Sequence, residues 1–411
     1  MGLCCSNTEL RFSRPIYHSN IDVIIPFHDS ITRKTHKKRI SCPLSIPVHE
    51  YSKFCSFENQ EIFITGCVLP GMDPSLCYNK ECQDNFLCIT SPNSIISVLL
   101  DGHGKHGKRV AEHCKRHIEA YCKLKLEKIH QNPKKYVEKI IVKCDKDLKS
   151  SKIDTNLSGT TAVVVYLSLN SIHVSSVGDS RAIIGTSPKP KKKLQALPLT
   201  VDQKPNNDLE LKRITESGGC VQRMIYNNGQ NLGPYRVWIK GLTLPGLAMS
   251  RSIGDKLAAS VGVISTPIIQ SFSRHINDKF IVLASDGIWD VMTNEEVVSY
   301  LEKFSSQSNR KGLKAEFPIT PLNATISRLL CEEARKRWIE ISKKENVMID
   351  DISCLVIEIE NDQESLIKTL PDKDLEDQKV VDDIESGILS ALYLSRNGSS
   401  RDASFNKEDG K

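Results

Sequence analysis

An apolar run that ends in an aspartate recurs along this chain, and it constrains the fold more than any other feature. In "SVLLDGHGKHG", residues 97–107, a strand-like run delivers Asp101 to a loop in which glycines flank His103. Other aspartates lie at strand boundaries in the same way: Asp84, Asp179, Asp286, Asp290, Asp350 and Asp351. One such aspartate favours only a turn. Because the pattern repeats, it indicates that several carboxylates share one site.

Strand-like and helix-like segments alternate between these aspartates. Runs of apolar and β-branched residues predict strands at 95–100, 161–167, 171–177 and 279–285. Apolar residues spaced by three and four, as in "RVAEHCKRHIEAYCKL", predict helices at 108–130 and 325–344. These strand-like and helix-like runs alternate from about residue 60 to about residue 360.

Composition excludes several classes of protein. The chain has 411 residues, which is enough for one large domain with extensions or for two domains. Hydrophobic residues make up 39% and charged residues 26%, as is ordinary for a globular protein. The net charge of +6 is too small to indicate nucleic acid as a partner. No apolar stretch predicts a membrane-spanning helix or a signal peptide. The 14 cysteines contain no C-x-x-C pair, so they predict reduced thiols rather than a disulfide framework or a zinc site.

The weakly periodic segments divide the chain into three parts. We expect an irregular N-terminal extension at 1–58, a folded domain at 59–361 and a polar, disordered tail at 362–411. Within the folded domain, 186–195 is predicted to be a polar turn and 303–322 a surface insertion. In the tail, "ESGILSALYLS" is either a short helix for a partner or a transient helix.

The N-terminal sequence "MGLCCSNTEL" indicates lipid modification. Gly2 fits the M-G-x-x-x-[ST] pattern of N-myristoylation, and Cys4 and Cys5 are palmitoylation candidates. One myristoyl chain anchors a protein only marginally, so a second signal is needed. The cysteines or the basic stretch at 33–39 would supply it, at about 1 kcal/mol per basic side chain near an anionic leaflet. We expect anchoring at the cytoplasmic face of a membrane; a chance Met-Gly start is the alternative.

The repeated aspartates predict a metal site. Two carboxylates about 4 Å apart repel each other by about 4 kcal/mol at an effective dielectric constant near 20, so a cluster requires protonation or cations. Oxygen ligands suit Mg²⁺ or Mn²⁺. Gly102 and Gly104 would let the backbone approach an ion. Two such metals generate hydroxide for phosphoryl chemistry, and His103 could then protonate the leaving alkoxide.

The motifs together resemble the metal-dependent protein phosphatases of type 2C, and plant and protist members in particular. The match runs in order through "CQDNF", "VLLDGHG", "SGTTAVVV", "VGDSRA", "DQKP", "ESGG", "LAMSRSIGD", "ASDGIWDVM" and "DDISCLVI". The resemblance implies an α+β fold in which an antiparallel β-sandwich is flanked by α-helices, with residues 59–361 as the catalytic domain. It also implies hydrolysis of phosphoserine and phosphothreonine in proteins. We expect the protein to be a monomer.

The resemblance implies roles for particular residues. It assigns His103 as general acid, Asp101 as the ligand that bridges two Mg²⁺ or Mn²⁺ ions, and the Gly102 carbonyl as a further ligand. The other implied ligands of the two metals are Asp84, which binds directly or through water, Asp286 and Asp350. In some members a weaker third metal occupies the positions of Asp179 and Asp290.

The chain departs from the family pattern at the residue that binds the substrate phosphate. Many members carry Arg or Lys where this chain has Asn79, and Lys80 follows one residue later. On a strand this displacement turns a side chain to the opposite face, although a bulge or loop would restore its direction. Either Lys80 binds phosphate, or neither residue does and the metals carry that charge. Asp351 stands where Asn is common and adds negative charge.

Further motif residues have structural interpretations. Asp255 is predicted to hold its loop by hydrogen bonds rather than to bind metal, and Arg181 to be an ion-pair partner. Trp238 either contacts substrates from a flap or anchors that flap. The threonines of "SGTTA" are expected to satisfy backbone groups.

Three functions fit the sequence to different degrees. Because every family aspartate is present, an active phosphatase acting on phosphoproteins at a membrane surface is favoured. An inactive phosphatase-fold scaffold that binds phosphoproteins is the alternative. A Ca²⁺-binding module is weaker, since the sequence has no D-x-D-x-D-G loop followed by glutamate.

Overall fold

A computed structural model describes residues 49–57, 60–73, 78–187, 193–225, 231–305, 325–345 and 347–361. Its strands, in chain order, are β1 (His49–Phe57), β2 (Gln60–Leu69), β3 (Met72–Asp73), β4 (Tyr78–Asn79), β5 (Asn85–Ser91), β6 (Ser94–Leu100), β7 (Gly102–His103), β8 (Gly159–Thr160), β9 (Ala162–Ser168), β10 (Ser171–Val177), β11 (Arg181–Thr186), β12 (Gln195–Pro198), β13 (Gly219–Ile225), β14 (Asn231–Ile239), β15 (Pro245–Leu247), β16 (Ile253–Gly254), β17 (Ile268–Ser273), β18 (Asp278–Ala284) and β19 (Ile352–Asn361). Its helices are α1 (Gly107–Gln131), α2 (Pro133–Lys149), α3 (Asp208–Glu216), α4 (Lys256–Ala259), α5 (Asp286–Trp289), α6 (Asn294–Phe304) and α7 (Ile326–Glu345).

Two antiparallel sheets form the centre of the molecule. One has six strands in the order β1-β2-β19-β18-β11-β12, and the other has five in the order β17-β10-β9-β6-β5. Buried side chains of both sheets, among them Ile64, Leu99 and Val165, form the layer between them. This arrangement confirms the predicted antiparallel sandwich.

Helices cover both outer faces of the sandwich. Helices α1 and α2 pack on the five-stranded sheet, where Val110, Ile118 and Ile140 are fully or almost fully buried. Helices α6 and α7 pack on the six-stranded sheet through residues such as Leu301 and Leu330. Because an isolated sheet face of this apolarity would be exposed to water, the two helical layers are what make the sandwich stable.

Strand register brings the aspartates to one edge of the sandwich. Leu100, which precedes Asp101, pairs with Asn85, which follows Asp84. The end of β6 also lies next to the start of β9, which pairs with the end of β10 just before Asp179. In the other sheet, the end of β18 before Asp286 pairs with the start of β19. Antiparallel pairing therefore places residues that are far apart in sequence at the same edge.

The predicted strands and helices are confirmed, and one boundary is wrong. Strands cover the four predicted runs, and α1 and α7 match the two predicted helices. The irregular extension expected to residue 58 is wrong for residues 49–57, because β1 pairs with β2 along its full length from His49 to Phe57. Most β1 side chains are partly or fully exposed, so the segment lacks the apolar alternation by which a strand is recognised.

A third, smaller sheet lies beside the sandwich. It consists of β13, β14 and β15 and packs with α3 around Ile214 and Val237. Within this unit the buried Glu210 accepts hydrogen bonds from Arg213 at 2.7 Å, Arg251 at 2.6 Å and Ser250 at 2.6 Å. Burial opposes ionisation of Glu210, but these donors outweigh it and lower its pKa to about 2. Glu210 therefore holds this unit together by accepting hydrogen bonds from several side chains.

Several predictions lie outside the described residues. These are the acylation signals at Gly2, Cys4 and Cys5, the basic stretch at 33–39, the tail at 362–411, most of the insertion at 303–322 and half of the turn at 186–195. Among the described helices, none is long and apolar enough to cross a bilayer. The ten described cysteines are all free thiols.

Candidate active site

The loop after β6 is fixed through the backbone of Asp101. Its N–H donates to Thr161 Oγ1 at 3.1 Å, and its carbonyl accepts from Thr161 N at 2.9 Å and from Thr160 Oγ1 at 3.0 Å. The sequence predicts that the threonines of "SGTTA" satisfy backbone groups, and the backbone they satisfy is that of Asp101. The carboxylate is thereby held at the strand end while its own oxygens remain free for a ligand.

The glycines after Asp101 are required by the protein's own packing. A Cβ at Gly102 would lie 2.6 Å from the Gly107 carbonyl oxygen and 2.7 Å from that of Gln83. Gly104 has a φ of 80°, and a Cβ there would overlap the Leu157 carbonyl. The loop therefore folds tightly against its neighbours, so the two glycines serve the protein's own packing in addition to the predicted approach of an ion.

The carboxylates at the edge of the sandwich act on one another electrostatically. Burial, followed by the charges of Asp84, Asp286, Asp350 and Asp179, raises the pKa of Asp101 well above its ordinary value. Burial and the charges of Asp179, Asp350 and Asp290 raise the pKa of Asp286 in the same way. Such mutual repulsion is found where carboxylates converge without enough positive charge.

Two of these carboxylates are buried with an unpaired oxygen. Asp84 is 7% exposed; its Oδ2 accepts from Ser353 Oγ at 2.7 Å, and its Oδ1 has no hydrogen-bond partner. Burial and the nearby Asp351 raise the pKa of Asp84 to about 8. Asp179 is 2% exposed and likewise has a free Oδ1, while its Oδ2 accepts from Lys204 at 2.5 Å. Neither unpaired oxygen has a hydrogen-bond donor within reach among the described residues, and a bound cation would fill that position.

Lys80 faces the carboxylates. Its Nζ lies 3.3 Å from Asp350 Oδ1, and although burial lowers its pKa, the charges of Asp350, Asp351 and Asp101 raise it overall. Lys80 follows β4 rather than lying within a strand, so strand alternation does not determine its direction. Of Asn79 the structure describes only the backbone, which pairs with Met72. Asp290 is exposed at the C-terminus of α5.

His103 is paired with Asp255. Its Nε2 lies 2.6 Å from Asp255 Oδ2, which also accepts from Ser252 Oγ at 2.6 Å. Burial alone would lower the pKa of His103, but Asp255 outweighs it and raises that pKa. Asp255 itself has a φ of 44°, which is rare for a residue other than glycine. Asp255 therefore forms hydrogen bonds as predicted, and one of its partners is His103, the predicted general acid.

Asp351, expected only to add negative charge, and Lys204, which had no predicted role, both support the site. Asp351 accepts from Gly71 N and from Gln83 N at 2.7 Å, so it fixes the segment that leads to Asp84. Lys204 is paired with the buried Asp179. Both lie in motifs that the sequence analysis identified, "DDIS" and "DQKP", but their partners are 268 and 25 residues away in sequence. The motifs indicate that both residues belong to the site, but the sequence does not show which residues they pair with.

Two residues outside the centre have structural contacts. Arg181 makes two hydrogen bonds to Asp202, at 2.9 and 2.8 Å, as expected of an ion-pair partner. Trp238 lies on β14, and its Nε1 donates to the Gln222 carbonyl at 3.0 Å across to β13. The indole thus cross-links the small sheet, which fits the anchoring interpretation of Trp238.

The residues at this edge fit Mg²⁺ or Mn²⁺. The atoms available as metal ligands are carboxylate and carbonyl oxygens, and two of the buried oxygens have no hydrogen-bond partner. The raised pKa values of Asp101 and Asp286 reflect missing positive charge. As placed, no three described His, Cys, Asp or Glu side chains surround a single ion. Mg²⁺ retains several of its waters in protein sites, so a site with few direct protein ligands is of the type it occupies.

A two-sheet sandwich with carboxylates at one edge and a histidine beside them is the arrangement that the resemblance to metal-dependent phosphatases implies. A family model described as Protein phosphatase 2C matches residues 73–340. The chain therefore belongs to the protein phosphatase 2C family, which confirms both the resemblance and the enzyme class.

Relatives support this assignment. A probable protein phosphatase 2C of Arabidopsis thaliana is 34% identical over 268 residues, which cover 64% of this chain and 74% of that protein. A probable protein phosphatase 2C of Oryza sativa subsp. japonica is 36% identical over 220 residues. That match covers 53% of this chain and only 38% of the length of the rice protein.

Solved structures agree with the fold. The crystal structure of a serine-threonine phosphatase 2C from Toxoplasma gondii superposes with a TM-score of 0.57 at 19% identity and covers 77% of this chain and 100% of that one. A sex-determining protein of C. elegans gives a TM-score of 0.53 at 20% identity, over 74% of this chain and 65% of that one. At these identities the likeness concerns the fold alone.

Proposed function

We propose that this chain hydrolyses phosphoserine and phosphothreonine in proteins with two Mg²⁺ or Mn²⁺ ions, at a membrane surface. The observation that carries the proposal is the convergence of carboxylates from separate chain segments without matching positive charge. The ions would be held by Asp84, Asp101, the Gly102 carbonyl, Asp286 and Asp350. A weaker third ion would lie at Asp179 and Asp290.

The ions, when bound, supply a low-pKa water as nucleophile and neutralise charge on the phosphate oxygens. The chain's own residues perform the other tasks. Lys80 would bind a phosphate oxygen from the position it now occupies beside Asp350. His103, with its pKa raised by Asp255, would hold a proton and donate it to the leaving serine or threonine oxygen. Asp255 would orient the imidazole.

A metal-dependent assay tests the catalytic proposal. Purified full-length protein is expected to hydrolyse a phosphothreonine peptide with Mn²⁺ or Mg²⁺ and to lose this activity in EDTA. Calorimetric titration with Mn²⁺ in the absence of substrate should show two sites, with a third site filled only at higher Mn²⁺ concentration. Absence of turnover with retained peptide binding would favour the scaffold alternative instead.

The membrane part of the proposal depends on the N-terminal sequence. Gly2 would carry myristate, and Cys4 or Cys5 would carry palmitate, so that two signals hold the protein at the cytoplasmic face of a membrane. In fractionated cells, Gly2→Ala is expected to move the protein from the membrane pellet to the supernatant. Unchanged pelleting of Gly2→Ala would contradict the acyl anchor without affecting the catalytic proposal.

A further inference from the structure

The helical pair α1–α2 carries the positive charge of the chain. Between Gly107 and Lys149 there are 13 Lys and Arg and 6 Asp and Glu, a formal charge of +7, whereas the whole chain has +6. All other residues together are therefore close to neutral. Part of this charge is used within the described fold, since Lys108 pairs with Glu81 at 2.9 Å and Lys115 donates to Asn85 at 2.8 Å.

Three of the six acidic residues of this pair have local partners. Glu119 pairs with Lys123 at 2.6 Å, and Asp145 with Lys149 at 2.6 Å. Asp147 lies 2.8 Å from His113 and 3.2 Å from His117. Counted against all six acidic residues, the pair keeps a formal excess of seven cations.

Seven cations of the pair are exposed and form no ion pair with any described residue: Arg109, Arg116, Lys128, Lys134, Lys135, Lys143 and Lys146. On α1 the seven-residue spacing of Arg109, Arg116 and Lys123 places them opposite the buried Val110 and Ile118. On α2, Lys139 and Lys146 lie opposite the buried Ile140 and Ile141 in the same way. We call the seven exposed cations, together with Lys123 and Lys139, the basic face of α1 and α2.

Apolar side chains lie among these cations. Leu124 is 75% exposed and Val142 is 43% exposed. Both tyrosines of the pair, Tyr121 and Tyr136, are partly buried, and Tyr136 is covered by Lys139. Exposed leucine and valine among lysines suit the boundary between lipid headgroups and acyl chains. Stacking on nucleic-acid bases would require exposed aromatic rings instead.

The described chain also begins next to this layer. His49 lines a cavity of about 420 Å³ together with Lys108 and Lys115 of α1. Burial and the charge of Lys115 lower the pKa of His49. The segment that carries Gly2, Cys4 and Cys5 therefore joins the fold at the flank of α1.

We propose that the basic face of α1 and α2 docks on an anionic phospholipid bilayer. This inference extends the membrane part of the proposed function, but it concerns the folded domain and does not need the acyl chain. The α1 helix of 25 residues is about 37 Å long and begins four residues after His103. Docking along this helix would hold the active site close to the bilayer.

Vesicle sedimentation of unacylated protein tests the docking. Full-length Gly2→Ala protein is expected to pellet with vesicles of phosphatidylcholine and phosphatidylserine, to stay in solution with phosphatidylcholine alone, and to be released by added salt. Arg116→Glu with Lys143→Glu should weaken partitioning at least about tenfold, since each basic side chain near the surface contributes about 1 kcal/mol, which is about fivefold. Leu124→Ser should weaken it about threefold.

A matched reversal on the opposite layer is the control. Lys336→Glu with Lys344→Glu makes the same change of charge on α7, where both lysines are exposed, and should leave vesicle binding within about twofold. Equal losses in the two double variants, or pelleting with neutral vesicles, would overturn the proposal. Preference for RNA over anionic vesicles would also overturn it. Turnover of para-nitrophenyl phosphate with Mn²⁺ should be the same in all variants. Absence of turnover throughout would contradict the proposed function without affecting the docking result.

Discussion

Two buried carboxylate sites of this protein have opposite electrostatic surroundings. At the edge of the sandwich, Asp84 has one hydrogen bond to Ser353 and one unpaired oxygen, and its pKa is raised to about 8. In the small sheet unit, Glu210 is equally buried, but arginines and a serine surround both of its oxygens and lower its pKa to about 2. Burial alone therefore does not decide the charge state of a carboxylate.

The difference separates structural from functional use of buried charge. Glu210 is complete with its protein partners Arg213 and Arg251, so it holds elements together and accepts nothing further. The carboxylates around Asp101 repel each other and gain stability only when a cation arrives. The same residue type thus acts as a cross-link in one place and as a binding site in another.

Neutralising Asp101 gives the largest expected effect. Asp101→Asn should lower turnover with Mn²⁺ by roughly 10³-fold, because metal assistance to phosphoryl transfer contributes several kcal/mol. In EDTA the same variant should resist urea better than wild type, by about 1 to 3 kcal/mol, since one repelling charge is removed. Asp154→Asn, which changes an exposed carboxylate, is the control and should alter neither quantity. A less stable Asp101→Asn in EDTA would contradict the contrast with Glu210.

Neutralising Glu210 should have the opposite effect on stability. Glu210→Gln leaves Arg213 and Arg251 without a counter-charge and should cost about 3 kcal/mol in urea unfolding at neutral pH. Glu216→Gln on the same helix changes an exposed residue and should cost less than about 0.5 kcal/mol. If the two variants unfolded alike, Glu210 would not be the cross-link described here.

Acid should remove the contribution of Glu210 within a defined window. Its pKa is about 2 in the folded protein and 4.5 as the ordinary value, so its stabilisation is complete above the ordinary value and is lost as pH falls towards the folded value. The difference in unfolding free energy between wild type and Glu210→Gln should shrink by about 3 kcal/mol across this window. Urea midpoints of both proteins at about pH 5.5 and about pH 3 should show about 2 kcal/mol of this change, since pH 3 lies above the folded pKa. A constant difference would mean that Glu210 is not ionised in the native state.

Replacing Asp255 should affect the proton transfer rather than substrate binding. Asp255→Asn removes the charge that raises the pKa of His103, and we expect kcat to fall about tenfold with KM unchanged. The loss should be larger for a phosphothreonine peptide than for para-nitrophenyl phosphate, whose leaving group needs no proton. Ser252→Ala removes the other donor to Asp255 and keeps the His103 pair, so it is the matched control. Equal losses with both substrates would indicate a structural role only.

Lys80 should have the smallest effect. Because the metals would carry most of the positive charge, Lys80→Gln is expected to raise KM for a phosphopeptide about threefold, with kcat little changed. Asn79→Ala should leave KM unchanged. Steady-state kinetics at saturating Mn²⁺ measure both. A normal KM for Lys80→Gln would favour the alternative in which neither residue binds phosphate.

The sequence predicted what depends on local pattern. Apolar runs located the strands of both sheets, and the aspartates at their ends identified the candidate site, because antiparallel pairing brings such ends together. β1 was missed because an edge strand with mostly exposed side chains has no apolar period. The Glu210 cluster was missed because Ser250 and Arg251 lie 40 and 41 residues away in sequence. Motifs signal a site, but pairings over such separations are decided by the folded chain.

The helix α1 starts at Gly107, whose carbonyl leaves no room for a side chain at Gly102 in the loop behind Asp101. Its other end lies seven turns away. The helix that carries the proposed docking face is therefore also the helix whose first residue packs against the loop behind Asp101. A protein docked along α1 would present that loop at a fixed distance from the bilayer.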